Sequence, residues 1–519
     1  MTDFFKKHTL ITGALVLTVT GFATRVLGFF YRIFLSRTIG AEGLGLYNMV
    51  HPIYGICFAL CAGSIQTAIS RFVAANVSKG KKILCTGLFI SLTIAAALAA
   101  LITRYSGPLA HYVLIEDRCA SLLPFMAVSV PFSAVHACIN GYYYGLQKTK
   151  VPAMAQIVEQ IIRMGAVFLI ADILKSSGQE LTVELAVTGH LIGELASCFY
   201  TVFCFCIFPP KSLAHVSAMV YSASRFKLTG RLGAVAADFW ETAPSLMTLA
   251  LPLMGNRLIL NVLASAEAIW IPNRLTMFGL NSSEAFGIYG VLTGMAMPFI
   301  MFPSAITNSM AVLLLPTVAE AQAEGNEARI AQTISMSLRY SMYMGVLCIG
   351  VFTLFGKELG VSVFHDESSG AFMQILAWLC PFLYLATTMG SILNGLGKTT
   401  TTFLQNVTAL VLRLAFVLVG IPAFGITAYL WGMLASELLL ASLHLVSLKR
   451  LVNFSWNTME IIVKPAVLLI ISVGIYYAVF SVWDGFDQLN LFISTALHIG
   501  VLSLCYGALL AVFHLAKHN

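Results

Sequence analysis

The stretch Glu42-Gly43-Leu44-Gly45-Leu46-Tyr47 returns 242 positions later as Glu284-Ala285-Phe286-Gly287-Ile288-Tyr289, and this recurrence decides how the chain is organised. The correspondence continues outward from it. At the same offset Arg32 falls on Arg274. At an offset of 250, Gly145-Leu146-Gln147-Lys148-Thr149 meets Gly395-Leu396-Gly397-Lys398-Thr399, and Arg163 falls on Arg413. At 243, Gly189 and Glu194 fall on Gly432 and Glu437. Several matches in one order at nearly constant spacing are the mark of an internal duplication.

The duplicated unit is a membrane unit. Of 519 residues 58% are hydrophobic and only 10% charged, with a mean hydropathy of +0.86. A water-facing surface needs about a quarter charged residues, so most of this chain faces lipid. Apolar windows between polar breaks predict an all-α integral membrane protein of about fourteen spans: 10–37, 43–76, 83–103, 119–147, 152–174, 182–208, 243–272, 284–316, 328–356, 370–397, 399–424, 425–447, 464–483 and 488–516. No room remains for a large soluble module. Six helices fall in each copy, so the copies keep one orientation and are parallel repeats about an axis along the membrane normal. The expected division is an N-lobe at 1–208, a cytoplasmic linker at 209–242 that opens with Pro209-Pro210 and suits a surface amphipathic helix, a C-lobe at 243–450, and two extra helices at 451–519. Two parallel lobes suit alternating access.

The net charge of +7 is mostly topology. With a cytoplasmic N-terminus, the basic loops at 79–82, 147–151, 209–242, 317–327, 398 and 448–464 all lie inside, and the C-terminus returns to the cytoplasm. The balance therefore gives no reason to expect nucleic acid. The first apolar run continues without a small-residue cleavage site, which predicts an uncleaved span. The 11 cysteines lie mostly in apolar runs without metal or disulfide spacing. No metal and no cofactor is expected.

The informative charges are those at bilayer depth, where an ionisable group must face water, a partner or a ligand. The basic ones are Arg25, Arg32, Arg71, Arg163, Arg257, Arg339 and Arg413, and the acids are Glu159, Glu194, Glu267 and Glu437. Guanidinium keeps its charge and grips phosphate oxygens bidentately. Gly21, Arg25, Gly28 and Arg32 share one helical face. Arg25, Arg32, Arg274, Arg163 and Arg413 are the candidate anion-binding residues. Glu159, four residues before Arg163, either neutralises it or shares a substrate role. Glu194 and Glu437 recur near helix middles, suited to ion coupling or interhelical bonding. Glu267 stands at the position equivalent to Arg25, for an interlobe pair or an asymmetric cavity. Gly28 and Pro272 are the expected hinges.

Soluble motifs are missing. Gly395 to Thr399 lacks the Walker spacing and reads as a helix-end turn, and the histidines are scattered singly. His111, Glu116, His365 and Asp366 in two short outer loops are the residues that a membrane glycosyltransferase or ligase would have to use. A cation or drug antiporter would favour an acidic cavity, against which the excess of membrane arginine argues.

Thr24-Arg25-Val26-Leu27-Gly28-Phe29, Tyr31-Arg32 and Ile39-Gly40-Ala41 running into the Glu42 motif resemble the start of the stage V sporulation protein B (SpoVB) group of polysaccharide exporters. Asn140-Gly141 with Gly145 to Lys148, and Ile271-Pro272-Asn273-Arg274-Leu275, are similar to later helices of that group. The group belongs to the multidrug/oligosaccharidyl-lipid/polysaccharide superfamily, with the MurJ lipid II flippases and MATE antiporters. The resemblance implies a two-lobe fold in the bacterial inner membrane and flipping of an undecaprenyl-pyrophosphate-linked glycan, in SpoVB for spore cortex peptidoglycan. Arg25 would meet the pyrophosphate. Two departures stand out: Tyr31 and Ile56 occupy positions where MurJ-like chains carry arginine. Membrane potential, a proton or a sodium ion is the expected driving force. The expected partners are the lipid-linked oligosaccharide, the bilayer and cell-wall synthesis enzymes.

Overall fold

The computed structural model describes residues 2–207, 228–482, 486 and 489–518, with side chains from Val16 onward apart from 228–238 and 514–518. Residues 209–227 of the expected linker lie outside the described residues. The main helices are α1 (Thr2–Phe58), α2 (Ser64–Ala75), α3 (Gly80–Arg104), α4 (Leu123–Gly145), α5 (Lys150–Ser176), α6 (Glu184–Ile207), α7 (Leu228–Met277) and α8 (Ser282–Gly290). They continue as α9 (Ser304–Ala323), α10 (Glu327–Leu359), α11 (Glu367–Leu376), α12 (Cys380–Gly395), α13 (Thr399–Ala415), α14 (Ile426–Leu451), α15 (Lys464–Phe480) and α16 (Leu491–His518). No strand occurs among the described residues.

Among the described residues, thirteen helices are long and apolar enough to cross a membrane. The difference from fourteen has three sources. The expected first two spans form one run, Val16–Ala75, turned at Gly40, which alone within α1 leaves helical geometry (φ 70°, ψ −177°). The expected span at 284–316 is divided into Ser282–Met301 and Ser304–Ala323, although Phe302 and Pro303 keep right-handed helical dihedrals and the chain runs on. Pro303 has no N–H to give the ladder, so the rod is interrupted without being turned. The expected span at 152–174 is α5, which is not one of the thirteen. Part of the expected linker is also helical, since α7 begins at Leu228 and passes without interruption through Pro252 and Pro272 to Met277.

The duplication is visible in the backbone. Asn76 and Asn326, 250 apart, each cap the helical segment that follows by accepting from a backbone N–H, of Lys79 and Arg329. Ile115 and His365, again 250 apart, each end a π-helical turn in the left-handed conformation (φ 58°). Glu116 and Asp366 then cap the next helical segment. Gln147 and Gly397 both have positive φ in the turns before α5 and α13, which is the helix-end turn expected there. The segments at 104–118 and 357–369, expected as outer loops, are thus largely π-helical turns and caps.

Packing divides the chain into two units, Met1–Tyr31 with Leu46–Ile269, and Arg32–Gly45 with Trp270–Asn519. In the first, Ile65, Ile69 and Val73 of α2 meet Ile83 and Leu84 of α3, Tyr142 of α4 and Leu246 of α7. In the second, Val318 of α9 packs with Ile334 and Leu338 of α10, Met389 and Ile392 of α12 and Leu440 of α14. There Phe355, Tyr476 and Leu502 join α10 to the two extra helices.

Candidate functional site

In the first unit, α5 and α6 are brought close by glycine. A methyl on Gly189 would collide with Val167, and one on Gly193 would stand 3.0 Å from Nε of Arg163. Small residues four apart on one face let two membrane helices approach along that seam. The approach presses Arg163 against α6, where it pairs with Glu159 one turn back on its own helix.

Glu194, one position beyond that seam, is 5% exposed and accepts two hydrogen bonds. Tyr54 Oη of α1 donates to Oε1 at 2.8 Å, and His136 Nε2 of α4 lies 2.7 Å from Oε2. His190, four residues earlier on α6, places Nε2 4.0 Å from the same carboxylate. His51 completes the group, with its ring centroid 5.3 Å from that of His190. Nδ1 of His136, both ring nitrogens of His190 and Nε of Arg163 are buried without a hydrogen-bond partner among the described residues. A carboxylate only accepts, so His136 carries its hydrogen on Nε2 when Glu194 is ionised.

The second unit holds a plainer counterpart. Arg413 Nη1 of α13 lies 3.7 Å from Glu437 Oε1 of α14, each side chain less than a fifth exposed. A small polar chain lies on the same helices: His444 Nδ1 meets Gln405 Oε1 at 2.7 Å, and Gln405 Nε2 donates to Ser447 at 2.7 Å.

The other candidates are separate from these groups. Arg25 is exposed on α1, and no carboxylate pairs with it among the described residues. Gly28 has room for a methyl, which would touch only the Gln160 amide at 3.6 Å. In the second unit, Arg32 Nη1 donates to the Thr293 carbonyl at 3.2 Å, within the π-helical turn Val291–Ala296. Arg274 lies over the Trp270 ring, 5.0 Å from its centroid, and donates to Met277 Sδ. Pro272 and Glu267 are buried. Arg257, to which the sequence assigned no role, donates to Thr67 Oγ1 at 3.1 Å. Of the acid and base groups expected in outer loops, Glu116 binds Arg118 at 2.7 Å, Asp366 accepts from the Ser369 amide at 2.6 Å, and His111 meets Asp117 at 3.0 Å. No group of three or more metal-ligating side chains occurs among the described residues.

Sequence reasoning therefore singled out Glu159, Arg163, Glu194, Arg413 and Glu437 but missed Tyr54, His136 and His190. One signal was available: His190 and Glu194 are spaced i to i+4 on an apolar helix, where an imidazole is costly without a polar neighbour.

Membrane-length helices in two repeated sets, with charges paired inside the spans, define a multi-pass all-α integral membrane protein. The chain belongs to the polysaccharide biosynthesis protein family, whose profile matches residues 10–320. It is 26% identical to "Stage V sporulation protein B" of Bacillus subtilis (strain 168) over 473 residues, 89% of this chain and 88% of that one. It is 23% identical to "Lipid II flippase MurJ" of the same organism over 492 residues, 89% and 86% of the two chains. Its fold matches "Lipid II flippase MurJ, inward closed conformation" with a TM-score of 0.73 at 12% identity, covering 97% of this chain and 100% of that one. A multidrug resistance MATE family transporter of the MOP superfamily, inward-facing, matches with a TM-score of 0.63 at 13% identity, covering 82% and 94%. The fold is thus the one shared by MurJ and MATE transporters.

Proposed function

We propose that this chain is a transporter that flips an undecaprenyl-pyrophosphate-linked glycan, lipid II or a related peptidoglycan or polysaccharide precursor, across the bacterial cytoplasmic membrane by alternating access. Spore cortex synthesis is the setting that similarity to the sporulation relative favours. The observation that carries this reading is the extent of the likeness: relatives named for sporulation and for lipid II flipping each match 89% of the chain, and the MurJ fold covers 97% of it. The duplication supports alternating access, since two parallel repeats can rock about a central axis.

Arg25 is the residue we assign to the pyrophosphate, because its guanidinium is exposed and engages no carboxylate among the described residues. Arg32 and Arg274 assist. Arg163 and Arg413 each face a carboxylate and serve helix packing in this reading. Both termini lie in the cytoplasm, where the basic loops collect, and cell-wall synthesis enzymes are the natural partners. Depleting the protein and identifying the lipid-linked intermediate that accumulates on the inner leaflet tests the proposal. A lipid-linked glycan is the expected accumulant, and absence of any such lipid overturns the reading.

A further inference from the structure

The recurring carboxylates Glu194 and Glu437 keep different company in the two copies. Glu159 of the first copy is replaced by Ala409 in the second and His136 by Ala386, both at the offset of 250. Tyr54 is replaced by Ala296 at 242, and His190 by Met433 at 243. These four proton-bearing neighbours of Glu194 thus have apolar residues at the equivalent positions of the second copy, while the arginine is kept. The consequence is visible in the pairing. With no acid one turn back, Arg413 faces Glu437 at 3.7 Å. With Glu159 in place, Arg163 is already matched, and Glu194 is left to Tyr54 and His136.

The two arrangements differ in what they can do. A guanidinium beside a carboxylate stays charged at any working pH. An imidazole beside a carboxylate gains and loses a proton in the physiological range. Facing the Glu194–His136 pair are His51 and Tyr54 of α1, Glu159 and Arg163 of α5, and His190 and Cys198 of α6, with Tyr31 and Tyr47 of α1 beside Arg163. Glu159 and Arg163 cancel, so with neutral imidazoles Glu194 leaves the cluster at −1 and one added proton brings it to 0. That proton has a place to land: His136 Nδ1 is a buried lone pair without a donor among the described residues. One N–H bond forms there as an O–H bond of hydronium from the aqueous phase breaks, leaving water, and the Nε2 hydrogen bond to Glu194 is kept.

We propose that the Glu194–His136 pair of the first copy is a proton-binding site that couples transport to proton movement, while Arg413–Glu437 is its fixed-charge counterpart. The coupling rests on the transport reading above; the proton site itself does not.

The test is proton uptake by the full chain in liposomes, read with a pH indicator and by infrared difference spectra between about pH 8 and pH 5. Wild type is expected to take up about one proton per chain more than Glu194→Gln, and to show an imidazolium signal that His136→Asn abolishes. Glu437→Gln is expected to match wild type. Equal uptake by wild type and Glu194→Gln, or loss of uptake in Glu437→Gln as large as in Glu194→Gln, overturns the site. Should Glu194→Gln fail to fold, His136→Asn carries the same comparison. Glycan flipping under an imposed pH gradient gives the second arm: wild type is expected to respond and Glu194→Gln to lose the response. Proton uptake without flipping of any lipid-linked glycan removes the transport reading and leaves the site standing. Flipping that responds to the gradient equally in wild type and Glu194→Gln removes the coupling.

Discussion

Gly45 and Gly290 lie against one another's backbones within the second unit. A methyl on Gly45 would run into the carbonyl of Phe286, and one on Gly290 into the carbonyl of Ala41, 2.8 Å from the amide nitrogen of Gly45. The two copies of the duplicated motif therefore meet each other, main chain to main chain. Ser283 Oγ donates to the Glu42 carboxylate at 2.6 Å beside this crossing, and Arg32 reaches the Thr293 carbonyl further along. Gly287, the sequence equivalent of Gly45, has nothing within 4 Å of where its methyl would stand.

The crossing predicts an asymmetric response to alanine. Gly45→Ala and Gly290→Ala should each destabilise the protein by about 1–3 kcal/mol, the usual cost of overpacking, because backbone cannot step aside as a side chain can. Gly287→Ala should be near neutral. Thermal unfolding of the purified protein in detergent distinguishes the three.

At the α5–α6 seam the obstacle is a side chain, so it is removable. Gly189→Ala should destabilise by about 1–3 kcal/mol, and shortening Val167 to Ala in the same chain should recover a large part of that loss. The same unfolding assay checks it as a double-mutant cycle, and additive losses would show that Val167 is not the obstacle.

The company of Arg413 is also open to redesign. Glu437→Gln removes the carboxylate 3.7 Å from Arg413 and should cost about 3 kcal/mol, the lower end of the range for breaking one side of a buried ion pair, since both side chains keep some exposure. Ala409→Glu copies the arrangement of Glu159 and Arg163 and should restore stability in the Glu437→Gln background. A double variant no more stable than Glu437→Gln would show that helix register at 409 does not present an acid to Arg413.

Glu116 and Asp366 are caps in this fold, which bears on catalysis in the segments that hold them. Asp366→Ala should cost about 1 kcal/mol, as loss of an N-cap does, and leave glycan flipping intact. Glu116→Ala should behave alike. Abolition of activity at unchanged stability would instead revive the transferase or ligase reading.

Among the charged groups, what was legible in the sequence was their identity and approximate depth. Hydropathy is a sum over neighbours along the chain, so membrane class, span positions and duplication follow from composition and offset alone. The turn at Gly40 and the long rod through Pro303 were not legible as such, because both depend on dihedral angles that Gly and Pro merely permit. Which charge meets which was decided by tertiary structure. Arg163 and Arg413 occupy equivalent places, yet one pairs along its own helix and the other across to the next, since Glu159 has become Ala409. That choice depends on how far two helices approach and how each is rotated, distances of a few ångströms set by residues such as Gly189 and Gly193. Likewise Tyr54, His136 and Glu194 come from three helices far apart in sequence, and only the packing of α1, α4 and α6 brings a phenol and an imidazole onto one buried carboxylate.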